Sequence, residues 1–205
     1  MTLAGFLTVA VLHLFVAISP GPAVLMAART GVTEGFRTGV ALACGIAMGA
    51  VSWAMAAMFG LSLLFRYAPF ALTAIKIAGA AYLFWMAYHM WRDAKVPLDL
   101  GAETKTPRSA LSAFRLGLFT QYANPKAAVM FSSLFVGTVP QGTSGWVIFA
   151  LMVVVFLNEA VWNTLVARIF SLDASRRTYL GLKATIDRCF GGMLALLGVK
   201  IALTP

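Results

Sequence analysis

The sequence predicts an all-α, polytopic membrane protein with six transmembrane helices arranged as two inverted three-helix repeats. Three observations carry this reading. Of the 205 residues, 60% are hydrophobic and only 11% charged, with a mean hydropathy of +0.85; globular domains run near 45–50% apolar and about 25% charged. The apolar residues also fall in blocks: no Asp, Glu, Lys or Arg occurs from Met1 to Ala28, nor from Thr38 to Phe65, and about 20 apolar residues cross the ~30 Å of bilayer hydrocarbon. Finally, a proline-centred motif in the first block recurs in the fourth. So few charges cannot cover a water-soluble fold of this size, which excludes a soluble enzyme or nucleic-acid-binding domain.

The spans follow in order. The first, Leu3–Ala28, has no basic residue before its apolar run, and the run is too long for a signal-peptide core, so it is read as a retained helix. The second, Thr38–Phe65, carries small residues at Gly39, Gly45 and Gly49, with Gly35 just before it; small residues let helix backbones approach where lipid offers no hydrophobic drive. The third, Ala68–Trp91, contains Lys76 and Gly79, and Tyr67, Trp85, Tyr88 and Trp91 near its ends suit interfacial belts. A polar segment from Arg92 to Leu111, with Pro97, Gly101 and Pro107, links the halves. The second half brings Ser112–Val139, Gly145–Ala167 and Ala184–Leu203, the last carrying Gly191. One transporter domain therefore covers 1–205, with repeat 1 at about 1–91, a linker at about 92–111 and repeat 2 at about 112–205.

The net charge of +9 marks orientation rather than a nucleic-acid partner. Loops one, three and five hold Arg29, Arg37, Arg92, Lys95, Lys105, Arg108, Arg115, Arg168, Arg176, Arg177 and Lys183, whereas the opposite side holds Arg66 and, if it snorkels, Lys200. Basic loops stay in the cytoplasm, which places both termini outside. Cys44 and Cys189 have no CxxC or metal-ligand spacing and read as small apolar residues.

Ser19-Pro20-Gly21-Pro22-Ala23-Val24 in helix one aligns with Asn124-Pro125-Lys126-Ala127-Ala128-Val129 in helix four. Helix three has Lys76 three positions before Gly79, and helix six has Arg188 three before Gly191. A three-span unit is odd, so its second copy enters the membrane inverted, a frequent plan of secondary transporters with a substrate site near the midplane.

Proline within a helix removes a donor and clashes with the carbonyl four residues back, so Pro20, Pro22 and Pro125 free the carbonyls of Val16, Ile18 and Gln121. Broken backbone is tolerated in lipid where it faces protein or a wet cavity. Half-helix ends offer amides to anions and carbonyls to cations, a pair that suits an amino acid's carboxylate and ammonium. Ser19, Pro20, Gly21, Pro22, Gln121, Asn124, Pro125 and Lys126 are thus the candidate substrate-binding residues. A mid-bilayer lysine costs roughly 2.5–3.5 kcal/mol on insertion scales, so Lys126 is expected to face the bundle interior and to pair with Glu159 or a substrate carboxylate. Glu159, beside Asn158 and Asn163, is the candidate for proton coupling. Asp187 and Arg188 are expected to form a structural pair. His13 and His89, toward opposite ends of their spans, show no evident partner. Gly35, Gly39, Gly45, Gly49, Gly79 and Gly191 are assigned to helix packing, which leaves both a monomer and a homodimer open.

Together these residues resemble the LysE/RhtB family of bacterial amino-acid exporters. Ser19-Pro20-Gly21-Pro22 resembles its first-helix signature, the ladder from Gly35 to Gly49 its second helix, Gly79-Ala80-Ala81-Tyr82-Leu83 its third-helix G-x-x-Y-L, and Asn124-Pro125-Lys126-Ala127 its fourth-helix N-P-K-A. The resemblance covers nearly the whole chain and implies a non-enzymatic secondary transporter in the bacterial cytoplasmic membrane. It would export an amino acid or derivative on the proton-motive force, without a cofactor or bound metal. Ala23 departs from the family, which often has a polar residue after Pro-Gly-Pro. The alternative is a divalent-metal exporter or thiol electron carrier of related inverted-repeat architecture. Against it, the candidate ligands Glu159, Asp187, His13, His89 and the two cysteines are scattered without spacing.

Overall fold

The computed structural model describes residues 1–67, 69–97, 106–140 and 142–203. Every regular element among them is an α-helix: α1 (Leu3–Ile18), α2 (Pro22–Glu34), α3 (Phe36–Tyr67), α4 (Pro69–Arg92), α5 (Ala110–Tyr122), α6 (Pro125–Thr138), α7 (Gly145–Phe170) and α8 (Asp173–Leu203). Two of the six expected helices are each two. The first bends by 53° between α1 and α2, and the fourth is interrupted between α5 and α6. Each half then reads as two short helices followed by two long ones: 16, 13, 32 and 24 residues, then 13, 14, 26 and 31.

The breaks lie at the proline motifs for a local reason. Pro22 and Pro125 do not sit in helix interiors; each is the first residue of a new helix, where a missing N–H costs nothing and the fixed φ is already helical. Asn124 caps α6, its side chain accepting from the Lys126 amide at 3.1 Å. Gly21 caps α2 without a side-chain bond. At the other end of α2, Gly35 adopts φ +86° and ψ 174° and a single residue separates α2 from α3.

Among the described residues, Phe36–Gly60 and Gly145–Phe170 are each long and apolar enough to cross a membrane, and the bent α1–α2 pair makes a third, against the six spans expected. α5 and α6 are each too short to cross alone. α8 begins at Asp173 rather than Ala184, so its first turns carry charges that the sequence reading gave to a loop. The outward face of α7 (Trp146, Phe149, Val153, Leu157, Val161 and Leu165) is exposed at spacings of three and four, a continuous apolar stripe suited to lipid.

α3 packs against both α5 and α7, α4 against α8, and α2 against α7. Glycines set the closest of these approaches. A Cβ at Gly45 would collide with the Phe114 carbonyl of α5, and one at Gly117 would collide in return with the Leu42 carbonyl of α3. Gly39 lies against Ala167, Gly49 against Gln121 and Gly191 against Trp91. Gly35 corrects its packing assignment: nothing lies within 4 Å of a Cβ there, and its backbone occupies a region open essentially to glycine alone. Gly79 falls outside the described side chains, as does Lys76.

Candidate functional site

The two helix breaks meet. Val16, Ala17, Gly21, Ala23, Val24, Gln121, Asn124, Lys126, Ala127, Phe131 and Glu159 line one small cavity.

Two of the freed carbonyls find side-chain donors. The Val16 carbonyl accepts from Ser19 Oγ at 2.8 Å. The Gln121 carbonyl accepts from Trp53 Nε1, on α3, at 3.1 Å. Gln121 Oε1 also takes the Asn124 side-chain amide at 3.2 Å. The α5–α6 break is therefore closed by a polar network that is 2–4% exposed at Gln121 and Asn124.

Lys126 is buried, and its ammonium donates to the Ser19 carbonyl at 2.6 Å and to Ser19 Oγ at 2.5 Å. This corrects one expectation. Lys126 and Glu159 line the same cavity, but the lysine's direct partner is the broken end of α1 and not the carboxylate. An α-helix leaves its last carbonyls unpaired and partly negative, so an ammonium is well placed there. Gly21 has extended backbone (φ −174°, ψ −178°) that any residue adopts. The reason for glycine is space, since a Cβ would stand 3.1 Å from Lys126 Cδ and 3.4 Å from Nζ.

Glu159 is equally buried, in mid-α7. Asn163 Nδ2 donates to its Oε2 at 3.0 Å and to its backbone carbonyl at 2.9 Å. Its other oxygen, Oε1, stands 3.9 Å from His13 Nε2. His13 corrects the sequence reading. It is 1% exposed, lies over the Phe131 ring at 5.3 Å, and has its Nδ1 3.2 Å from Asn158 Nδ2. The signal that could have found it is a histidine on a charge-free helix, where a buried imidazole needs a polar neighbour.

Toward the expected cytoplasmic side lie two further ion pairs. Asp187 pairs with Lys183 at 2.7 Å rather than with Arg188, and the same ammonium reaches the Asp93 and Ala94 carbonyls. Glu34, at the C-terminal end of α2, was not anticipated. It is buried and accepts from both the Arg108 guanidinium, at 2.6–3.0 Å, and the Arg108 amide, at 3.1 Å. On the exposed turn after α4, a hydrogen bond from Arg92 holds the Asp93 carboxyl below its ordinary range. Among the described residues, no three His, Cys, Asp or Glu side chains gather to hold a metal.

Against known families, residues 14–204 match the LysE type translocator. The chain is 36% identical to the threonine efflux protein of Escherichia coli K12, over 97% of this chain and 98% of that one. It is 34% identical, at the same coverage, to the threonine efflux protein of Salmonella typhi. It is also 32% identical to the homoserine/homoserine lactone efflux protein of Salmonella typhimurium, over 58% of this chain and 56% of that one. No solved structure matches.

Proposed function

Because this chain belongs to the LysE type translocator family, we propose that it is a secondary exporter of a small amino acid, with threonine the first substrate to test. The threonine efflux proteins align with it from end to end. The observation that carries the reading is the charge layout of the cavity. The lining holds a buried ammonium, Lys126, the first turn of α2, where Ala23 and Val24 follow a cap without a side-chain bond, and the Glu159 carboxylate. That layout matches the charges of a zwitterion, with its carboxylate toward Lys126 and the α2 N-terminus and its ammonium toward Glu159. Ala23, the departure from the family pattern, lies in the wall itself and makes it less polar than an asparagine would.

The mechanism is alternating access across the cytoplasmic membrane. The repeated order of short and long helices supports two inverted units, about 1–91 and 112–205, that rock about the paired breaks, and the basic loops support a cytoplasmic linker with both termini outside. The proton-motive force drives the cycle. Asn163 occupies Glu159 Oε2, so an incoming proton binds Oε1, displaces the substrate ammonium, and leaves toward the cytoplasm as the next substrate loads. The test is overexpression in a threonine-sensitive host, with intracellular threonine measured. Lys126→Ala and Glu159→Gln should each abolish export with membrane insertion intact; normal export by both variants would overturn the site.

A further inference from the structure

His13 is absorbed by neither the cavity lining nor the substrate contacts, yet it is among the most buried polar side chains of the protein. Its chemistry follows from its neighbours. Asn158 Nδ2 donates to the Ala10 carbonyl at 3.2 Å, an acceptor-only group that sets which way the amide faces. The same Nδ2 faces His13 Nδ1, which must then be the acceptor. The imidazole is therefore the tautomer that carries its proton on Nε2. That Nε2–H has no hydrogen-bond partner and points toward Glu159 Oε1, 3.9 Å away. Oε1 is also the oxygen that Asn163 leaves open.

A direct hydrogen bond needs about 2.7–3.2 Å, so the two groups are roughly 1 Å short of bonding. His13 stands on α1 and Glu159 on α7, so a bond that closes the gap joins the two halves of the molecule. We infer that His13 is a positioning residue for proton coupling: its Nε2–H bonds Glu159 Oε1 when that carboxylate is ionised, and the bond opens when Oε1 takes a proton. Uptake of one proton thus removes one tie between α1 and α7, beside the Asn158 bond to the Ala10 carbonyl that stays, and its release restores it. Lys126 on α6 is the charged group that faces the pair from a packed element. α8, the other helix packed against α1, brings the apolar Leu194 to it. The inference rests on the role proposed for Glu159, so its test needs one readout that does not depend on transport.

That readout is ¹⁵N NMR of the full chain labelled at histidine. His13 and His89 are its two histidines, and His89→Gln leaves the two ring nitrogens of His13 alone. The Nε2 resonance should move with pH as Glu159 ionises, and the movement should vanish in Glu159→Gln. In proteoliposomes with an acid lumen, His13→Phe should lose about tenfold in gradient-driven threonine uptake while threonine exchange at equal pH stays within about twofold. His13→Gln, which keeps an amide donor near the Nε2 position, should restore the gradient-driven rate. A resonance that moves equally in Glu159→Gln overturns the inference, as does a His13→Phe protein with an undiminished gradient-driven rate. So does equal loss of exchange and drive. Should the wild-type chain move no amino acid while the resonance behaves as stated, the exporter reading falls and the His13–Glu159 switch stands.

Discussion

A buried ammonium and a buried carboxylate that share a cavity without touching are two unspent charges, and each is held by neutral dipoles instead: Lys126 by Ser19, Glu159 by Asn163. A direct pair would neutralise both and leave little for a zwitterion to recognise. Gly21→Ala tests how finely that arrangement is set. Alanine adopts the extended backbone without strain, so thermal stability in detergent should be unchanged. The new Cβ meets only the flexible end of Lys126, and displacing that end should lower export severalfold. An unaltered export rate would mean that the ammonium's position is immaterial. Lys126 and Glu159 were legible in the sequence because an isolated charge in an apolar run has to be explained. Ser19 as the lysine's ligand was half legible, as part of the motif. The depth of His13 was not, because it depends on where α7 lies, and Asn158 is 145 positions away.

Among the helices, the breaks could be read from Pro20, Pro22, Asn124 and Pro125, since proline chemistry is local. The extension of α8 back to Asp173 could not, because charged residues read as loop until a neighbour satisfies them, and Lys183 finds its carbonyls on the turn after α4. The glycines separate two kinds of constraint. Gly45→Ala and Gly117→Ala push a methyl into the facing backbone of α5 or α3, and each should cost about 1–3 kcal/mol of stability. Gly60→Ala, where nothing lies within 4 Å, should be neutral or gain up to about 1 kcal/mol. Gly35→Ala has equal room but should cost about 1–3 kcal/mol through its backbone conformation. Unfolding in detergent measures all four, and equal effects at Gly45 and Gly60 would refute the close-approach account of α3 and α5.

Across the whole molecule, both described ends of the linker are tied down, one to each half. Lys183 of α8 holds the carbonyls at 93 and 94, and Glu34 of α2 holds Arg108. Arg108→Ala leaves a buried carboxylate with fewer donors and should cost about 2 kcal/mol, in line with hydrogen bonds to charged groups of about 1.5–3 kcal/mol; thermal unfolding reads it. Orientation is a separate prediction at this scale. Alkaline phosphatase fused after residue 203 should be active outside the cell, and fused after Pro97 should be inactive, with the reverse for fluorescent protein. The opposite pattern would invert the topology drawn from the basic loops. The Glu34–Arg108 pair had no sequence signal, since its members lie 74 positions apart and each reads singly as a loop charge.

α2 has a glycine at both ends, Gly21 where it leaves α1 and Gly35 where it enters α3. Thirteen residues make a rod of about 20 Å, and a rod held at one end is a lever. Turning it by roughly 10° about Gly35 swings its far tip by about 3 Å. That tip carries the amides beside Lys126. A slight rotation at the Gly35 end, where Glu34 grips Arg108, would thereby be geared up into a stroke the size of an amino acid's carboxylate.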